Sequence, residues 1–387
     1  MVKSFEVPVN PAVLEWARVT SGLTVEVAAV AVHRDPQAIA AWESGKSRPT
    51  FFALEDLANA YRRTVATLLL PGPPPSPPQP ADFRAATGAA PELSFDSRVA
   101  LRRAQWLQES AAEISAFKQS DSWFGSLALP SDPVAVAREA RDRLKIPVGV
   151  QMGWPNDYVA FRAWRQAVEG QGVLVFQFSL PLDELRGLSL TAGRPPVIVL
   201  ASGDYIRARS FSLFHEYAHL LLGAGGLCIP ERGLLYGATV EVERFCNAFA
   251  GAVLVPAYDL EHDLEAREIT SGGQINDRVL EGLASRFHVS RPVMLYRLFD
   301  VGHVDRDAFY EKWREWEALN RGKQKATSSG GPRMARAERR ILQYGERFVG
   351  RVLDAHDKGE VTTGQALEIL SLHVGDLPDA ASLIGTA

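Results

Sequence analysis

The chain has 387 residues, 46% of them hydrophobic and 23% charged, with a formal net charge of −4. That length allows two or three domains with real cores, and that charge excludes a polycation coating nucleic acid, so any such contact must come from a local patch. Two cysteines, Cys228 and Cys246, exclude a disulfide framework; with no apolar h-region in "MVKSFEVPVN" and no apolar run of membrane-spanning length, the chain reads as cytoplasmic and without a membrane partner.

The first stretch with a pattern is "LEWARVTSGLTVEVAAVAVHRDPQAIAAWESGKSRPTFFALEDLANAY" (14–61). It predicts a helix over about Val25–Ala31 and a second one with Asp35 as N-cap and Pro36 in its first turn. The stretch resembles the helix-turn-helix of Cro/CI-type repressors, the XRE family, and "WESGKSRP" matches the segment that closes their recognition helix. The resemblance implies a small all-α helix-turn-helix head over residues 1–70. Proteins of this kind read bases early in the recognition helix and anchor on phosphates at the start of the preceding one. Those positions hold Pro36, Gln37, Ala38, Ala41 and Val25, and only Gln37 carries donors and acceptors for direct readout. Lys46 and Arg48 are candidate phosphate contacts, yet residues 1–70 balance seven Lys/Arg against seven Asp/Glu. Two readings stand side by side: a DNA reader, or a repressor-like fold kept for contact with another protein.

"PGPPPSPPQP" (71–80), with seven prolines, cannot form helix or central strand and opens a linker over 71–94. A large domain follows over 95–319. Helical spacing covers 97–117, 132–146 and 158–172; short β-rich runs then cover 173–180, 185–190 and 195–201. Two more helices follow, one carrying His215 and one around 241–254. Strands and helices are segregated, which is α+β. "NRGKQKATSSGGP" (320–332) reads as a flexible linker, and 333–387 as a helical C-terminal region.

The chemistry concentrates in "FSLFHEYAHLLL" (211–222). His215 and His219, four residues apart, share one helix face and suit two ligands of a tetrahedral Zn²⁺. Glu216, beside the first histidine, suits a general base acting on the attacking water. A third ligand has to come from a following helix, where Glu241 and Glu243 are available. Glu243 is the better choice, because Asn247 lies one turn further on the same face and can hydrogen-bond a ligand's free ring nitrogen. Glu241 lies about 200° around the helix from Glu243, so the two cannot both face the metal. Tyr205, Arg209 and Tyr236 are the oxyanion-stabilising candidates near in sequence, with no basis for a choice among them. Cys246 reads as a buried, inert side chain.

"RARSFSLFHEYAHLLLG" with "VEVERFCNAFAGAVLVP" resembles the ImmA/IrrE family of zinc metallopeptidases, over about 155–300. The resemblance implies a gluzincin-like metallopeptidase domain with a small mixed or antiparallel sheet, and one Zn²⁺ per chain. By position it makes His215, His219 and Glu243 the metal ligands and Glu216 the catalytic base. It also implies a protein substrate, a transcriptional repressor of a stress, mobile-element or phage-related regulon. The other reading is a transcription regulator that binds DNA through its head and uses the peptidase-like domain as a sensor. Beyond the site, "LASRFHVSRPVMLYRL" (283–298) has a helix-turn-helix look, but the resemblance assigns it to the peptidase body. Residues 331–356 read as helical, with Arg336, Arg340, Arg347 and Arg351 at spacings that put them on one face, for phosphate groups or simply for solvent.

Overall fold

Five short helices make the head, and each start is fixed by one side chain. They are α1 (Pro11–Thr20), α2 (Val25–Ala31), α3 (Pro36–Glu43), α4 (Phe51–Ala60) and α5 (Val65–Leu68). Asn10, Thr24, Asp35, Thr50 and Thr64 each accept a backbone N–H from the first turn that follows, and Pro36 occupies the first turn of α3 as expected. The structure, a computed structural model, describes residues 5–75, 93–118, 123–224, 227–228, 238–263, 266, 269–271, 274–320 and 334–385. Leu14, Ile39, Trp42, Leu54, Leu57 and Tyr61 form the middle of the head's core. Arg18 of α1 makes two hydrogen bonds of 2.8 Å to the Glu43 carboxylate of α3. This paired, charge-assisted contact holds the recognition helix in place.

The chain divides into two compact units, and the division falls between Gln105 and Trp106, inside α6 (Phe95–Glu113). The start of α6 belongs with the head: Arg102 donates to Ser21 Oγ and to the Tyr61 carbonyl, at the C-terminal ends of α1 and α4. The boundary is therefore about ten residues beyond the expected linker end. Most of the proline-rich linker, 76–92, lies outside the described residues, as does nearly all of the 320–332 linker.

The second unit is built on a four-stranded mixed sheet, in the order β1-β3-β2-β4. Strand β1 (Leu174–Phe178) runs parallel to β3 (Val197–Ala201); β2 (Gly187–Leu190) runs antiparallel to β3 and to β4 (Leu227–Cys228). All residues of β1, β2 and β3 are buried, so this sheet lacks the apolar–polar alternation of one with a solvated face. Helices α7 (Pro133–Leu144), α8 (Val148–Met152), α9 (Asp157–Gly170), α10 (Ile206–Leu222) and α11 (Ala238–Leu254) lie with the inner face, where Val175, Ile198 and Leu200 join the main core. The short α12 (Ala257–Glu261) follows α11, and a two-stranded ribbon of β5 (Thr270–Ser271) and β6 (Gln274–Ile275) comes next. Helices α13 (Asp277–Arg286) and α14 (Arg291–Asp300) add Leu283, Phe287, Leu295 and Leu298 to the same core, which makes 283–298 part of the body; α15 (Arg306–Asn320) follows.

The C-terminal region covers the other face of the sheet. Its helices are α16 (Arg336–Tyr344), α17 (Glu346–Asp357), α18 (Thr363–Leu370) and α19 (Leu377–Gly385). Tyr344 and Phe348 pack edge-on against Phe176, with ring centroids 5.9 and 5.1 Å apart. Arg165, buried on α9 and paired with Glu169 at 2.8 Å, donates to the Leu342 and Gln343 carbonyls at the end of α16. The expected continuous helix over 331–356 is thus corrected to two helices, broken at Gly345, whose φ of 89° and ψ of 142° place it outside helical space. The break has a cause in the packing: Gly345 lies directly on the Arg165–Glu169 pair, leaving no room for a Cβ.

Candidate metal centre

Helix α10 runs between the sheet and α11, which is why it is buried on every side: Ser212 to Leu221 are all buried. Within that run His215, Glu216 and His219 are 2%, 0% and 0% exposed. Polar groups this deep have to find partners. Gly223, at φ 65°, ends the helix in the left-handed conformation, and a Cβ there would come within 3.1 Å of the Gly125 Cα. Opposite lies α11, whose C-terminal carbonyls are taken by buried side chains. Arg141 donates to the Val253 carbonyl, Gln151 to that of Leu254, and Arg297 to that of Val255 just beyond the helix. These anchors fix the helix that presents Glu243.

The three groups meet. His215 Nε2 lies 3.2 Å from His219 Nε2, Glu243 Oε2 lies 3.2 Å from His215 Nε2, and Glu243 Oε1 lies 3.3 Å from His219 Nε2. A tetrahedral ion with bonds of about 2.0–2.1 Å needs its ligand atoms about 3.3 Å apart, which is the edge of the tetrahedron. The two imidazole nitrogens meet that spacing and Glu243 offers one oxygen to each, so the donor set suits a metal, and it is the one such cluster among the described residues. His215 Nδ1 lies 2.9 Å from Asn247 Oδ1; an N–H donated there leaves Nε2 with its lone pair free for a metal. Electrostatics follow from the crowding. Burial works to raise the Glu243 carboxyl, but hydrogen bonds and charge from His215 and His219 outweigh it and hold it well below the usual carboxylate range. Burial pushes Glu216 up, against the opposing pull of His219, His215 and the Ser189 hydroxyl.

The other sequence-chosen residues fall as follows. Glu241 is exposed and takes no part in the cluster. Cys246 is fully buried, and its thiol lies beside the His219 ring, so it touches the site rather than merely filling a gap. Tyr205 caps the start of α10 and is 86% exposed; ten residues of helix, about 15 Å, separate it from His215. Arg209 is tied to the Asp204 carbonyl and to Gln177 Oε1, which gives it a structural role. Tyr236 lies outside the described residues, as does the side chain of Cys228. In the head, Gln37, Lys46 and Arg48 are exposed. The proposed arginine face does not hold together across the break at Gly345. Arg336 faces Asp376 and Arg340 bonds the Ser371 carbonyl, whereas Arg347 and Arg351 border a void of about 10 Å³ beside Glu169 and Phe117. Sequence reasoning read 185–190 as a strand but missed that Gly187 and Ser189 of β2 adjoin Glu216; no motif marks them, and an unexplained glycine in the strand run was the one available sign.

Comparison with known families agrees with this arrangement. No curated protein matches the chain. Residues 168–299 match the peptidase family M78, described as the IrrE N-terminal-like domain, and so take in both histidines, Glu216 and Glu243. Residues 12–69 match a helix-turn-helix domain. Residues 168–299 are therefore similar to an ImmA/IrrE-type peptidase domain, and residues 12–69, earlier in the chain, to a helix-turn-helix domain.

Proposed function

We propose that the chain is a zinc-dependent metalloendopeptidase that makes limited cuts in a protein substrate, and that this substrate is a helix-turn-helix transcriptional repressor. The observation that carries the reading is the meeting of two imidazole nitrogens 3.2 Å apart with one carboxylate whose two oxygens lie 3.2 and 3.3 Å from them, next to a carboxylate sealed in the core. Two imidazoles and one carboxylate are the ligand chemistry of catalytic zinc sites, which keep a fourth position open. Bound there, the ion would supply Lewis acidity toward water and the scissile carbonyl. The residues of the chain do the rest. Glu216 accepts the proton of the attacking water and returns it to the leaving amine. Asn247 holds the His215 tautomer, and the buried contacts at the end of α11 keep Glu243 in register.

The head selects what is cut. Its match supports DNA binding, but Val25, Ala38 and Ala41 stand where such domains place polar contacts, leaving Gln37, Lys46 and Arg48 as the available polar groups. A surface of that composition suits contact with another repressor-type protein as well as with DNA. Co-expression of wild type and Glu216→Gln with neighbouring repressors tests the whole reading. One specific cut made by the wild type and absent from the variant is expected. An identical pattern from both, with zinc bound to each, refutes it.

A further inference from the structure

Gly187 opens β2, paired with Leu200 of β3 on one side and Cys228 of β4 on the other, and a glycine in a strand marks the close approach of something else. What approaches is Glu216. A Cβ built on Gly187 would lie 3.1 Å from Glu216 Oε1 and 3.2 Å from its Cγ, with the Val199 carbonyl oxygen also at 3.2 Å. Gly187 and Ser189 stand opposite Leu200 and Ile198 of β3, both members of the inner core, so the two share the sheet face that meets α10. Ser189 is fully buried on that same face, and its hydroxyl is near enough to favour the charged form of Glu216, whose two carboxylate oxygens have no formed hydrogen bond among the described residues.

We propose that Gly187 and Ser189 of β2 are positioning residues for Glu216: the missing side chain at Gly187 leaves the space the carboxylate occupies, and the Ser189 hydroxyl aims it along α10 beside His215 and His219. The inference rests on the reading of Glu216 as the general base. In this arrangement the strand, not the helix alone, sets where the proton acceptor stands. A base displaced by even 1 Å loses much of its effect on rate, while ligands held from α10 and α11 remain in place.

The test is a double-mutant cycle on the full chain after chelator treatment, read by urea unfolding. Gly187→Ala should lower the folding equilibrium constant about tenfold in the wild-type background, the usual cost of overpacking a tight contact. In a Glu216→Ala background both Glu216 contacts are gone and only the Val199 oxygen remains, so the same change should cost less than about twofold. Equal losses in the two backgrounds overturn the proposal, because they would assign the glycine to sheet packing. Ser189→Ala provides a second variant that folds readily. Its zinc affinity, titrated with Zn²⁺ alone, should stay within about twofold, while kcat for a repressor cut by the wild type falls about tenfold at constant KM. Unchanged kcat overturns the role of Ser189. Should the wild-type chain cut no repressor, the peptidase reading fails by itself, and the unfolding cycle still decides whether β2 seats Glu216.

Discussion

Replacing Glu216 with Gln should stabilise the metal-free chain, by an amount that grows with pH. The carboxyl is 0% exposed, and burial raises its pKa above the ordinary 4.5 despite the nearby histidines and Ser189. A raised carboxyl pKa means that the folded state holds the proton more tightly than the unfolded state. The contribution to stability is therefore complete below pH 4.5 and is lost as the pH climbs toward the folded-state value. The loss has a ceiling of about 1.4 kcal/mol per pH unit, so over the 2.5 units from pH 4.5 to pH 7 it reaches at most about 3.5 kcal/mol. Gln has nearly the same shape and carries no charge, so the variant escapes this penalty while leaving the trio of His215, His219 and Glu243 intact. Urea unfolding of both chelator-treated proteins at pH 4.5, 5.5, 6.5 and 7.5 measures it. The two curves should coincide at the lowest pH and separate steadily above it, with the variant more stable. A gap that is constant with pH, or a more stable wild type at pH 7.5, refutes the assignment of Glu216 to a desolvated seat. The same variant should bind zinc normally and cut nothing, which separates the cost of the residue from its use.

Asn247→Ala should fold normally and bind zinc about 10- to 100-fold more weakly in a chelator competition, because the His215 ring loses the partner that fixes its tautomer. Gly345→Ala should cost about 2 kcal/mol or more in urea unfolding, since it places a Cβ against the Arg165–Glu169 pair at a φ that L-residues avoid; an unchanged midpoint would show that the C-terminal helices are not held there. For the isolated question of DNA binding, affinity of the full chain for its own promoter should fall with salt with a log–log slope of about −2, as expected if Lys46 and Arg48 are the phosphate contacts in a charge-balanced head. A slope near −6 would require a basic surface that this head does not carry.

What was legible in the sequence, and what was not, divides by the range of the interaction. Asp35 could be read as a cap to the residue because a cap is one side chain meeting one N–H two or three positions away. His215 and His219 were legible because helix geometry alone places i and i+4 together. Glu243 was legible once the second helix was recognised, since Asn247 shares its face. Gly345 was misread because a glycine inside a helical pattern costs only about 1 kcal/mol against alanine, and the apolar period runs on through it. Its real constraint comes from Arg165 and Glu169, far away in the chain, and no local pattern carries that information. The same holds for Gly187 and Ser189. Their partner Glu216 lies across a helix–strand contact, and only the register of β2 against β3 decides which residues face it.

The burial of the sheet on both faces joins these observations to function. A strand that must place a base needs to be fixed in its own plane and across its thickness. Hydrogen bonding to β3 and β4 fixes β2 in the plane. Across the thickness, α10 presses on one side, while on the other Tyr344 and Phe348 close over Phe176 of the same sheet. The C-terminal helices are thus part of the support of the peptidase unit rather than an appended tail. Loosening them should reach the site through β1 and β3 before it reaches the ligands, which are held from α10 and α11. Damage at Gly345 should then lower turnover at unchanged zinc content, whereas damage at Asn247 should lower zinc content first.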